Sequence, residues 1–170
     1  LYMGVTMLCV CTAFIDVEHR LIPNKLTYPT IIFGLAMSLF YPEIWGADTT
    51  HRMSLIFSGA GLLIGGGAMA LIAVIGEKIF KVEAMGWGDV KFIAAIGACL
   101  GLKSCFFILL IGSLLGSAIG IYQVIRYRHK EGFKATIPFG LYLSIATYLW
   151  ILYGSRLEMI YHRLFTNIQI

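Results

Sequence analysis

The chain has 170 residues, of which 59% are hydrophobic and 13% charged, against about half and about a quarter in a typical soluble domain. Its apolar residues fall in long, uniform runs, which excludes an ordinary soluble core and also the alternating strands of a membrane barrel. The net charge of +4 resides in the short stretches between those runs and does not point to nucleic acid.

In chain order the apolar runs cover about 1–15, 27–41, 54–76, 90–102, 104–125 and 137–153. They predict an all-α, polytopic transmembrane bundle of about six helices over residues 1–154. A C-terminal interfacial tail follows over 155–170, where Arg156, Glu158 and Arg163 interrupt apolar residues. The first run is short for a span of roughly 20 residues. It has no basic stretch before it and no small-residue cleavage site after it, so it reads as part of a first transmembrane helix and not as a signal peptide. The fourth run is too short to cross alone unless it tilts or begins in the loop before it, and Gly101-Leu102-Lys103-Ser104 predicts a tight turn between the fourth and fifth. Glycines crowd the third run (Gly59, Gly61, Gly65, Gly66, Gly67) and recur as Gly112, Gly116 and Gly120 in the fifth, a spacing that lets helix backbones pack closely. Cys9, Cys11, Cys99 and Cys105 lie within or at the edges of apolar runs and read as small buried hydrophobes. They form no metal-ligand spacing, and His19, His51, His129 and His162 are scattered.

Lys and Arg mark the loops unequally. The first loop carries Arg20 and Lys25, the third Lys78 and Lys81 with Lys91 just beyond, and the fifth Arg126, Arg128, Lys130 and Lys134. The second has Arg52 and the fourth Lys103. The odd loops are therefore expected on the cytoplasmic side, with Tyr41 and Trp45 at the opposite interface.

Two aspartates fall on that cytoplasmic side, each where an apolar run meets a polar loop. Carboxylates beside a bilayer are costly and mark function by default. Asp89 follows Gly86-Trp87-Gly88 and opens an apolar helix; alone, it reads equally well as a helix cap. Asp16 ends an apolar helix, where the helix dipole disfavours a negative charge, and Ile22-Pro23-Asn24 then breaks and restarts the chain. Together they are candidates for an acid–base dyad that shares one proton. Their helix ends put the proton mainly on Asp16 and leave Asp89 ionised. Lys91 could tune Asp89 or bind a substrate carbonyl, and Pro138 sits in the first turn of the last helix within Ile137-Pro138-Phe139-Gly140. Asp48 belongs to the opposite side.

Asp16 with Ile22-Pro23-Asn24, the stretch Gly86-Trp87-Gly88-Asp89-Val90-Lys91, and Ile137-Pro138-Phe139-Gly140 closely resemble the type IV prepilin peptidases, the GxGD class of membrane aspartyl proteases. The likeness runs from Asp16 to about Gly154. It implies removal of the short basic leader from type IV prepilins or pseudopilins at the cytoplasmic face of a prokaryotic inner membrane, with Asp16 and Asp89 catalytic. It implies further that Gly86 and Gly88 let a substrate backbone approach, and that Lys91 and Pro138 help bind it. Glu18, Glu77 or Glu83 would attract the leader's basic residues. Proteolysis of this kind needs no cofactor. Many relatives also N-methylate the product with S-adenosylmethionine and carry paired Cys-x-x-Cys motifs that are missing here. The resemblance therefore implies either a short, peptidase-only member or the catalytic part of a bifunctional enzyme; the start at Leu1 and the likeness of residues 132–154 to the bacterial members favour the second. A proton-coupled transporter using Asp16 and Asp89 is the alternative, but it would set its acids in mid-helix at the membrane midplane.

Overall fold

The computed structural model describes residues 1–46, 48–81, 86–127 and 138–166. Among them there is no strand. The elements are α1 (Tyr2–His19), α2 (Asn24–Phe40), a 3-10 turn at Pro42–Trp45, α3 (His51–Ala60), a π-helical turn at Gly61–Gly65, α4 (Gly66–Phe80), α5 (Trp87–Tyr127) and α6 (Phe139–Thr166). Each apolar run lies in a helix, and most helices reach a few residues beyond their run; α6 instead continues thirteen residues past the predicted end at 153, so the stretch read as a tail is helical to Thr166. Glu83, Ile137 and most of the fifth-loop cations lie outside the described residues.

By length and composition two helical stretches, His51–Ile79 and Trp87–Arg126, could cross a membrane, the second counted through a turn at Gly101. The outside of the bundle carries large apolar side chains such as Met3, Phe14, Ile32, Leu63, Ile121 and Ile125, a surface that water would not tolerate and lipid does. These are the features of a membrane protein. The core lies where α5 meets its neighbours: Phe92, Ile93, Ile96, Ile108, Val5 and Leu143 are fully buried.

The helical stretch of α5 is two arms. Gly101, with φ 83° and ψ 177°, has a backbone conformation that only glycine takes readily. The chain reverses there. Ile93 and Cys105 are twelve residues apart and would stand about 18 Å apart in one straight helix, yet the Cys105 thiol lies 3.7 Å from the Ile93 carbonyl oxygen. The predicted turn at 101–104 is therefore present, closed by the Ser104 hydroxyl donating to the Gly101 carbonyl at 2.6 Å. The Trp45 ring covers this turn and its indole N–H donates to Ser38 Oγ at 3.0 Å.

Small residues set the packing around that hairpin. Gly61, at the start of the π turn, and Gly97, in the first arm of α5, meet backbone to backbone, with no room for a side chain on either. Gly65 faces the Cys105 thiol and Gly66 faces Ala94. On the second arm Gly112 packs on Leu143 and Gly116 on Tyr142 and Phe139, so the small-residue stripe read from the sequence is the seat of α6.

Candidate active site

Asp16 lies in the last turn of α1, which runs three residues past it to His19. Arg20 then closes the helix in a left-handed conformation (φ 52°), and its N–H donates to the Asp16 carbonyl at 2.9 Å. A non-glycine residue there costs about 1 kcal/mol; it turns the chain at once into Leu21, Ile22 and Pro23, which form one wall of a cleft. The Asp16 side chain is only 5% exposed. Its Oδ2 accepts the Leu141 N–H at 3.1 Å, one of the free amides in the first turn of α6. Along α1 alone the Asp16 carboxyl meets only the negative end of a helix dipole. In three dimensions the same carboxyl also sits at the positive end of α6, where a negative charge is welcome. Burial still pushes the Asp16 carboxyl above its ordinary range, and the Leu141 and Gly140 amides, then Arg20, pull it back.

Asp89 lies in the first turn of α5, which starts two residues earlier, at Trp87. Its own N–H donates to the Gly86 carbonyl at 3.1 Å, and its side chain is 9% exposed. Both carboxylates therefore stand at helix N-termini. They are near enough for the charge on Asp16 to act on Asp89. The glycines of the motif do different things. A side-chain carbon on Gly88 would stand 2.9 Å from Ile22 Cβ and 3.3 Å from the Ile22 backbone nitrogen, so Gly88 lets α5 press against the turn after α1. Gly86 is less crowded, with Asp89 Oδ2 at 3.5 Å from such a carbon, and it lines the cleft.

The cleft holds about 620 Å³ and is walled by the α1–α2 turn on one side and by Gly86, Trp87, Gly88, Asp89 and Lys91 on the other. Lys91 is already engaged: its Nζ donates to Asn24 Oδ1 at 2.8 Å and stands 5.6 Å from the centre of the Tyr28 ring. It ties α5 to α2 across the cleft and keeps further N–H groups for a ligand. Pro138 directly precedes α6, while it is Gly140, two residues on, that touches the site. A side-chain carbon on Gly140 would lie 2.9 Å from Asp16 Oδ2 and 3.0 Å from Ile22 Cδ1. Sequence reasoning named Pro138 and missed Gly140 and Asn24. Both stand in stretches already singled out, and nothing in a linear pattern tells that Gly140 meets Asp16 or that Asn24 meets Lys91, 67 positions on. Glu18 is exposed and pairs weakly with His19 at 3.8 Å; Glu77 is exposed at the end of α4.

Fold and site thus define a helical membrane protein that brings two buried carboxylates from distant helices to one cleft. The model of the type IV leader peptidase family matches residues 3–121, and the chain belongs to that family. It is 32% identical over 156 residues to a prepilin leader peptidase/N-methyltransferase of Aeromonas hydrophila, covering 92% of this chain and 50% of that protein. Proteins of the same description from Xanthomonas campestris pv. campestris and Burkholderia pseudomallei (strain 1026b) are 32% and 28% identical over 152 residues. The matches cover 87% and 89% of this chain and 48% and 46% of those proteins. The chain spans about half the length of these curated relatives. No solved structure matches it.

Proposed function

We propose that this chain is a membrane aspartic endopeptidase that removes the basic leader from type IV prepilins or pseudopilins. The single observation that carries the reading is that Asp16 and Asp89, 73 positions apart, line the same cleft. The ionised member of the pair takes a proton from a water molecule, whose oxygen attacks the carbonyl carbon of the scissile peptide. The protonated member gives its proton to the carbonyl oxygen, and the tetrahedral intermediate collapses as the leaving amine is protonated. The Leu141 amide holds the Asp16 carboxyl in place for this exchange. Lys91 offers a donor to the substrate backbone, Gly86 leaves room for it, and Pro138 fixes the start of α6.

The chain forms a peptidase domain of about six transmembrane helices over 1–154, with 155–170 at the interface. It sits in a prokaryotic inner membrane in contact with its lipids. The cleft opens to the cytoplasm, following the excess of Lys and Arg in the odd loops. Arg20 and Lys91 rim the cleft, so the basic part of the leader stays outside it, nearer Glu18 and Glu77. Proteolysis requires no cofactor. S-adenosylmethionine enters only with methyl transfer. No methyl-transfer step is assigned to these residues.

The test is leader cleavage by the purified chain in liposomes, with a prepilin as substrate. Asp16→Asn and Asp89→Asn keep shape and remove the titrating group, and each is expected to lower the rate about 10²- to 10⁴-fold. Because the pair works with one proton between them, the wild-type rate should fall at low pH, where both are protonated, and at high pH, where both are ionised. Cleavage by either variant at the wild-type rate would exclude the dyad.

A further inference from the structure

Threonine and serine in a helix can return their hydroxyls to the carbonyl one turn back. Thr6, Thr30 and Thr147 do so here, donating to Tyr2, Leu26 and Leu143 at 2.9, 2.8 and 2.8 Å. Thr12 on α1 and Ser144 on α6 do not. Their hydroxyls have no hydrogen-bond partner although the residues are 0% and 3% exposed. Burying a hydroxyl unpaired is costly, and a polar group left so in a native core calls for an explanation.

The register of the two helices puts these hydroxyls together. α1 and α6 run antiparallel: Cys9 lies beside the Thr147 hydroxyl at one level, and Asp16 beside the Leu141 and Gly140 amides at another, with the Leu141 N–H donating to it. Three residues from Cys9 toward Asp16, and three from Thr147 toward Gly140, each advance about 4.5 Å. Thr12 and Ser144 therefore fall at one level between the two anchors. They also share the faces that carry those anchors, since Cys9, Thr12 and Asp16 follow helical spacing, as do Thr147, Ser144 and Gly140. A polar seam thus leads from Asp16 into the apolar interior of the bundle.

We propose that Thr12 and Ser144 are positioning residues for Asp16 and hold between them one buried water that donates to its carboxylate. A buried water makes about two to four hydrogen bonds, and the two hydroxyls and the carboxylate supply three. The seam fixes Asp16 from below while the Leu141 amide fixes it from the side, so the carboxyl keeps one orientation toward the cleft. The other charged or titratable groups around Asp16 are Asp89 at the start of α5, Lys91 two residues further, and His19 and Arg20 at the end of α1. Among the described residues α6 adds none, its Tyr142 facing Gly116.

The inference rests on the proposed peptidase only for its effect on cleavage, and its main test needs no substrate. The chain contains three aspartates, Asp16, Asp48 and Asp89, so selective ¹³C labelling gives three carboxyl signals, assigned with Asp16→Asn and Asp89→Asn. A donor to a carboxylate favours its ionised form. Thr12→Val or Ser144→Ala should raise the titration midpoint of Asp16 by about one pH unit, a tenfold gain in proton affinity. Thr12→Ser should leave it at the wild-type value. The double variant should move it no further than either single one, because either change releases the water. In the cleavage assay Thr12→Val and Ser144→Ala should lower kcat about tenfold with KM unchanged, and Thr12→Ser should not. An Asp16 midpoint that stays put in both single variants overturns the proposal, and so do two shifts that simply add. Wild-type protein that cleaves no prepilin, with the titration shifts present, would instead remove the peptidase reading and leave the hydroxyl pair standing.

Discussion

At the scale of residues, the site depends on what is left out as much as on the two carboxyls. Gly140 has Asp16 as its nearest neighbour, and an added methyl would meet the carboxyl oxygen at 2.9 Å and its carbon at 3.1 Å. The group that must give way is the end of a side chain, so Gly140→Ala should leave the fold intact and swing the carboxyl off the Leu141 amide. A displacement of about 1 Å at a reacting group can cost about 10²-fold in rate. The expected result is a kcat lower by about that factor with an unchanged melting temperature, and a rate within twofold of wild type would refute it. Gly88→Ala should behave differently. Its added carbon meets Ile22 at the root of the side chain and at the backbone, where nothing can rotate away, so stability should fall along with activity.

At the scale of elements, the contact that fixes the α5 hairpin is the meeting of Gly61 and Gly97. A methyl on Gly61 would overlap the Gly97 carbonyl, so Gly61→Ala must separate the π turn from α5, at a cost of about 1–3 kcal/mol for overpacking. Gly59 and Gly67 belong to the same glycine-rich run but would place an added carbon in open space. Alanine there should be neutral or stabilise by up to about 1 kcal/mol through helix propensity. Thermal or denaturant unfolding in detergent checks the contrast: equal effects at the three positions would mean that the close approach does not hold the hairpin. The sequence marks all these glycines alike, and only the partner helix separates them.

At the scale of the whole molecule, the proposed topology follows from the distribution of Lys and Arg and makes the cleft cytoplasmic. In intact cells a membrane-impermeant maleimide should fail to label cysteines introduced by Glu18→Cys and Lys78→Cys, and should label one introduced by Arg52→Cys; permeabilised cells should label all three. Cys9, Cys99 and Cys105 are buried, so changing Cys11 to serine gives a quiet background. Labelling of the first two from outside would reverse the orientation.

The sequence by itself determined the helical membrane class and the turn at Gly101, and it singled out the two aspartates that line the cleft, because apolar length, turn chemistry and a carboxylate at a helix end are local properties of the chain. It also led to the two stretches that wall the cleft and to the start of α6, where Gly140 stands beside Asp16. Which member of each stretch matters was decided by tertiary structure. Gly140 rather than Pro138 meets Asp16, Asn24 receives Lys91, and α6 offers its free amides to a carboxyl that α1 alone would disfavour. Thr12 and Ser144 look like any small polar residues of an apolar helix until the antiparallel register of α1 and α6 puts them at one level. Each of these contacts joins positions tens of residues or more apart, and the physical reason they exist is the packing of one helix against another.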